Sequence, residues 1–374
     1  MPNDVVVVFV HGINVTCQDY YQSMRDRVLR YMPRPAQGHV IFRAVFWADI
    51  VRGRQQEYLH YARSASDFRG SQLHQLVIEG LGDAAAYQKT RAIKNSAYYD
   101  IQRRLGKTLR DVVIEKDDRR PLVFVGHSLG CHIISSYAWD LHRLNQLEAI
   151  GEKKQDWDRP TQKFIDMLEK ASPLERLDTF AGFVTMGSNM PLFTFTFGPQ
   201  YVHPITRTKY ANAAPAFPGK SVSPAVRSQA LWLNYFSLND PLGYPLRPLN
   251  DSYDSEPLLH DIPTRSEGWW RQKLHRGPLR SLAAMSAHTG YWSDRRVARG
   301  TADLLYDIIY ADEIAARSKK ARSRYRRPYP AATQAVPNAA SMPRQPPPRA
   351  ATSGPDGTAA AREARPEPRS EAAG

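Results

Sequence analysis

The segment Leu122–Cys131, LVFVGHSLGC, places a serine where a turn alone does not require one. Leu122 to Val125 reads as a buried strand. It runs straight into Gly126-His127-Ser128-Leu129-Gly130, with a helix-like segment behind. Gly-x-Ser-x-Gly between a strand and a helix is the setting of a nucleophile elbow. So sharp a turn forces its central residue into a strained backbone conformation, and side chains two residues before and after it would strike neighbouring backbone. Glycine at 126 and 130 removes those collisions. The turn also lifts the Ser128 hydroxyl into the open at a helix N-terminus, where N–H groups and the helix dipole favour developing negative charge. The expected chemistry is nucleophilic attack by Ser128.

Such a residue works only if other elements hold it. Val5–Val10 is a continuous β-branched run, the pattern of a strand buried on both faces. Thr16 and Asp19 form a Thr-x-x-Asp capping pattern ahead of Tyr21, Met24, Val28 and Tyr31 at helical spacing. His39–Trp47 reads as a strand, and Tyr98–Ile114 as a helix. The polar, helical stretch from about Ile50 to Ser96 reads as an insertion over one end of the sheet. Ile133, Ile134, Tyr137 and Leu141 give the segment after Ser128 an apolar helical face. Phe180–Met186 and Leu231–Leu238 are further strands, and Arg295–Ile314 a closing helix; no internal repeat is found. Strands alternating with helices predict an α/β fold with a mostly parallel sheet covered on both faces. In such sheets ligands bind beyond the carboxyl ends of the strands.

Composition sets the bounds. A chain of 374 residues with 42% hydrophobic content can build a large core. No apolar run is long enough to span a membrane, and no basic, small-residue leader precedes Val5, so neither a membrane span nor a secretory signal is expected. Two cysteines, Cys17 and Cys131, are too few for a disulfide framework or a structural zinc site, and read as buried small hydrophobes in a cytoplasmic, reducing setting. Residues 317–374 hold twelve Arg and Lys against four Asp and Glu, so +8 of the net +14 lies there. With almost no large apolar residues after Tyr329, this Pro/Ala/Arg-rich tail is expected to be disordered, with contact to anionic surfaces as its sharper reading. The organisation expected is one domain over 1–316 with inserted segments near 50–96, 145–175 and 190–228, then the tail.

With VFVHGIN near the start and VFVGHSLGC in mid-chain, residues from about 5 to 314 resemble the α/β-hydrolase superfamily, in particular its lipase- and esterase-like serine hydrolases. The resemblance implies acyl transfer by a serine, an acid and a histidine in that chain order. It matches the acid to Asp240, at the end of the apolar strand in FSLNDPLG and before a Pro/Gly turn. Asp251, Asp254 and Asp261, in what reads as a polar loop, rank below it. It matches the base to His288 in MSAHTGYW, ahead of the closing helix; His260 and His275 read as solvated loop histidines, and His203 is the remaining downstream histidine. The strand that should precede His288 is not legible in Gly277–Ala287. An oxyanion hole is implied from the backbone N–H of Leu129 and, by the His-Gly match in HGIN, that of Ile13, with Asn14 beside it and His11 structural. No cofactor is implied, and His11, His127 and His132 lack the accompanying carboxylate or cysteine spacing of a metal site. Trp269-Trp270 and Tyr291-Trp292, at the two ends of the His288 segment, read as core or as walls of an acyl site.

The substrate expected is a small or lipid-like ester. The same residues would serve an acyltransferase or thioesterase, since they fix the acyl-enzyme and not its acceptor. The rival from another class is a non-catalytic scaffold that recruits through its basic tail.

Overall fold

The computed structural model describes residues 2–65, 72–88, 96–115, 119–151, 166, 168, 171–195, 197–208, 214–264 and 287–317. These belong to one compact unit, Met1–Arg327; a second unit, Pro328–Gly374, lies outside the described residues, as does the expected tail from residue 318 onward.

Six strands, β1 (Val5–Val10), β2 (Val40–Val45), β3 (Leu122–His127), β4 (Phe180–Met186), β5 (Leu231–Ser237) and β6 (Leu259–Thr264), form one sheet in the order β2-β1-β3-β4-β5-β6. Every neighbouring pair is parallel. The described α-helices are α1 (Gln22–Tyr31), α2 (Arg34–Gln37), α3 (Ala48–Ala65), α4 (Gln72–Ala86), α5 (Ala97–Glu115), α6 (Leu129–Ala149), α7 (Met190–Thr194), α8 (Pro224–Arg227), α9 (Asp251–Asp254), α10 (Arg295–Ile309) and α11 (Ala311–Ala316), with short 3-10 turns at Pro199–Tyr201, Arg247–Leu249 and Gly290–Ser293. The runs of β-branched residues follow from burial on both faces. Val6, Val8 and Val10 of β1 join one core with Ile101 and Leu105 of α5 and Ile134 and Tyr137 of α6. Val5, Val7 and Phe9 join the other, with Met24 and Val28 of α1 and Leu304 and Ile308 of α10. Alternate residues of one strand thus supply two cores, and no position of β1 is free to be polar.

The chain leaves β1 toward β2 on one side, while β3, β4, β5 and β6 follow in turn on the other. The order therefore reverses between β1 and β3, the point at whose carboxyl ends sheets of this kind bind ligands. The loop after β1 is His11-Gly12-Ile13-Asn14, and the turn after β3 carries Ser128.

Several local expectations are corrected. Thr16 caps no helix: α1 begins at Gln22 with Tyr21 at its N-cap and no side-chain cap. The preceding loop is drawn to the sheet end by Tyr20, whose hydroxyl lies 2.8 Å from the Phe9 carbonyl and 3.1 Å from that of Val45. The closing helix breaks at Tyr310 into α10 and α11. The supposed polar loop around His260 and Asp261 is β6. As an edge strand, β6 buries Leu259, Ile262 and Thr264 and leaves His260 exposed, so its sequence does not read as an apolar run. An edge also tolerates Pro263. Cys131 is buried as expected, but Cys17 is exposed. Among the described residues no helix is long and apolar enough to cross a membrane.

Candidate active site

Ser128 lies between β3 and α6 with a φ of 53°, in the left-handed region that a residue with a side chain enters at a cost of about 1–2 kcal/mol. Its N–H donates to the Met186 carbonyl at 2.9 Å, tying the turn to β4. Three glycines make the conformation possible. A Cβ on Gly130 would overlap the Val10 carbonyl, and one on Gly126 would come within 3.0 Å of the Cys131 backbone. One on Gly12 would stand 2.5 Å from the Ser128 Cβ, so the loop after β1 lies directly against the serine. Leu129 is the first residue of α6, whose leading N–H groups have no partner within the helix.

His11 organises the other half of the crevice. Its Nε2 accepts from the Trp47 N–H at 3.1 Å, so its proton sits on Nδ1 and is donated to the Gly12 carbonyl at 2.7 Å. Trp47 also stacks on the ring and donates its indole N–H to the His11 carbonyl at 2.9 Å. With the Gly12 carbonyl turned to His11, peptide planarity directs the Ile13 N–H the opposite way, off the far side of that peptide. Burial lowers the His11 pKa to about 4, outweighing the opposing hydrogen bond to Gly12, so the ring is neutral near neutral pH. Asn14 closes the turn at a φ of 59°. Its side-chain amide is buried with no hydrogen-bond partner among the described residues. Above this loop, a Cβ on Gly80 of α4 would stand 3.2 Å from the Ile13 side chain, so α4 packs against the loop.

Asp240 follows β5 and meets His288, whose Nδ1 lies 2.9 and 3.0 Å from its two carboxylate oxygens. Oδ1 also accepts the Leu242 N–H at 2.9 Å and Oδ2 the Tyr291 hydroxyl at 2.8 Å. Burial pushes the Asp240 pKa up. The His288 hydrogen bond and charge, the Leu242 N–H and the Tyr291 hydroxyl together bring it below the ordinary carboxylate value. With Asp240 ionised, His288 carries its proton on Nδ1, and when the ring is neutral its Nε2 presents a lone pair.

His127, the residue before the serine, joins this pair to the elbow. Its Nε2–H donates to the His288 carbonyl at 2.7 Å, and the two rings lie 4.9 Å apart. Burial lowers the His127 pKa to about 3. The turn does not hold the Ser128 hydroxyl in the open as expected: with the loop after β1 lying against it, its Oγ is buried, as is the His288 Nε2, and no hydrogen bond joins them to each other or to any described residue.

Of the residues singled out in sequence, Ile13, Ser128, Leu129 and Asp240 therefore stand at the carboxyl ends of β1, β3 and β5, and His288 is held among them by Asp240 and His127. The strand sought in Gly277–Ala287 falls, apart from Ala287, outside the described residues, as do Trp269, Trp270 and His275. Tyr291 is a core residue, fully buried with its hydroxyl on Asp240. Trp292 packs near Phe9, Tyr20 and His127. Asp261, ranked below Asp240 as an acid, holds the loop that carries it: its carboxylate accepts the N–H groups of Leu246 and Arg247 and the Asn234 amide at 2.7–3.0 Å. The roles of His127, Tyr291 and Asp261 had no signal in spacing, because each depends on a partner from a distant strand or loop. Among the described residues no group of three or more His, Cys, Asp or Glu side chains is placed to hold a metal ion. No protein family, curated protein or solved structure matches the chain.

Proposed function

We propose that the chain is a serine hydrolase of the α/β-hydrolase type that cleaves carboxylic esters through an acyl-enzyme on Ser128. One observation carries this reading: at the point where strand order reverses, a serine with φ of 53° and a histidine oriented by a carboxylate leave Oγ and Nε2 as buried, unpartnered atoms. Unpartnered buried polar atoms are rare and costly, and a substrate's reacting group is what pairs them. A Ser–His hydrogen bond commonly closes only in the substrate complex.

In this reading His288 Nε2 takes the Ser128 proton as Oγ attacks the ester carbonyl. The tetrahedral oxyanion receives the N–H groups of Leu129 and Ile13. As the intermediate collapses, the C–O bond to the alcohol breaks and His288 returns the proton to that oxygen. Water, deprotonated by His288, then attacks the acyl carbon, and Ser128 leaves with a proton. Asp240 holds the tautomer and stabilises the imidazolium throughout. Leu192 and Phe195 after β4 and Leu238 after β5 are exposed beyond the same carboxyl ends, which supports an apolar acyl group on a lipid-like or small ester. The two free thiols fit a reducing, cytoplasmic setting.

The test is p-nitrophenyl esters of increasing acyl length offered to wild type and Ser128→Ala, together with labelling by a fluorophosphonate. Hydrolysis should fall to background in Ser128→Ala, and the label should map to Ser128. Full activity in that variant, or a label on another serine, would sink the proposal.

A further inference from the structure

We propose that Tyr291 is a positioning residue that fixes the carboxylate of Asp240 toward His288 and moderates its charge; the inference rests on the Ser128–His288–Asp240 reading above. The Tyr291 hydroxyl stands between two groups. It accepts the Ser237 N–H from the end of β5 at 2.8 Å and lies 2.8 Å from Asp240 Oδ2. With the Ser237 N–H on its acceptor side, its own proton is directed to the carboxylate. Leu242 N–H holds Oδ1 and the phenol holds Oδ2, so one donor on each oxygen sets the carboxylate plane in which His288 Nδ1 meets both.

The chain is built around this contact. At Gly187, where φ is 56°, a Cβ would come 2.7 Å from the Tyr291 ring, 2.9 Å from Asp240 Oδ2 and 3.3 Å from His288 Nδ1. At Gly243 it would stand 2.9 Å from the phenol oxygen and overlap the carboxylate. Two glycines from separate loops thus leave space for the phenol–carboxylate contact and for nothing larger. Tyr291 itself is fully buried and ring-packed near His127. Burial first, and then the Asp240 charge, hold its hydroxyl protonated far above neutral pH, so it is always a donor. Among the described residues, His127 on β3 and Cys131 on α6 are the other titratable groups that act on the pair, with His11 after β1 acting on His127; burial keeps both histidines neutral and the Cys131 thiol protonated near neutral pH.

A hydrogen bond to a carboxylate disperses its charge and so limits how strongly it stabilises the neighbouring imidazolium. Removing the phenol should therefore make His288 more basic while loosening its orientation. The experiment is the rate of fluorophosphonate labelling of Ser128, and of p-nitrophenyl ester hydrolysis, as a function of pH. It is run for wild type, Tyr291→Phe, and the full chain carrying 3-fluorotyrosine at 291, whose phenol is the stronger donor. In Tyr291→Phe the acid limb should move up by about half to one pH unit, with kcat down about tenfold and KM little changed. With 3-fluorotyrosine the limb should move down. An unmoved limb in both overturns the proposal while labelling of Ser128 upholds the triad. Failure of Ser128 to label in wild type removes both. If Tyr291→Phe does not fold, the direction of the fluorotyrosine shift decides alone.

Discussion

Acidification should unfold this protein through its neutral histidines before its carboxylates titrate. The perturbation is a fall in pH from about 7 to about 4.5. In the unfolded chain an imidazole binds its proton near pH 6.5. In the fold His11 does so only at about 4 and His127 at about 3, burial being the main cause in both. A lowered folded-state pKa means that the unfolded chain holds more protons throughout this window, so stability is present above about pH 6.5 and is lost as pH falls. Linkage gives about 2.5 kcal/mol for each residue by pH 4.5, or about 5 kcal/mol together. That is a large share of the roughly 5–15 kcal/mol that holds a domain folded. His132 and His142, lowered by burial to about 3 and about 4, act in the same direction. Asp240 does not contribute in this window, because its pKa lies below the ordinary carboxylate value and its stabilisation disappears only at lower pH. The assay is urea unfolding at both pH values for wild type and for a His11→Asn/His127→Gln double variant, with the slope in urea checked for constancy. The double variant should retain about 5 kcal/mol that wild type loses. An equal loss in both would refute the assignment of these two rings as neutral and buried.

Two further outcomes follow from the geometry. Gly130→Ala drives a Cβ into the Val10 carbonyl and to 2.7 Å from that of His11, so thermal unfolding should show a loss of about 3 kcal/mol or more; an unchanged melt would mean that α6 does not sit against β1 as described. Asp261→Ala leaves the N–H groups of Leu246 and Arg247 without their acceptor, which should cost about 2 kcal/mol and slow Ser128 labelling; unaltered labelling would show that Asp240 is held without that loop.

The central strands were legible in sequence because burial on both faces leaves a mostly apolar run, and Phe180–Met186 was bounded correctly for that reason. The strand–turn–helix at Ser128 was legible because its constraints are local: a strand end, two glycines and a helix start lie within one short segment. Composition alone could not reveal β6, since this edge strand is only partly buried and its His260, Asp261 and Pro263 look like loop residues. Nor could it foresee that Thr16 would go unused as a cap, because Tyr20 bonds to the ends of two strands instead.

The sequence by itself determined the nucleophile candidate and the parallel α/β architecture, since each rests on backbone sterics or on periodicity; Asp240 and His288 were matched only through a family resemblance. Only the tertiary structure decided how those groups are held. His127 reaching the His288 backbone, His11 turning the Gly12 peptide, and Tyr291 and Asp261 supporting Asp240 and its loop are contacts between residues far apart in the chain. Hydrogen bonds of that kind leave no period or spacing in a sequence; they exist because the sheet order brings the ends of β1, β3, β4 and β5 side by side.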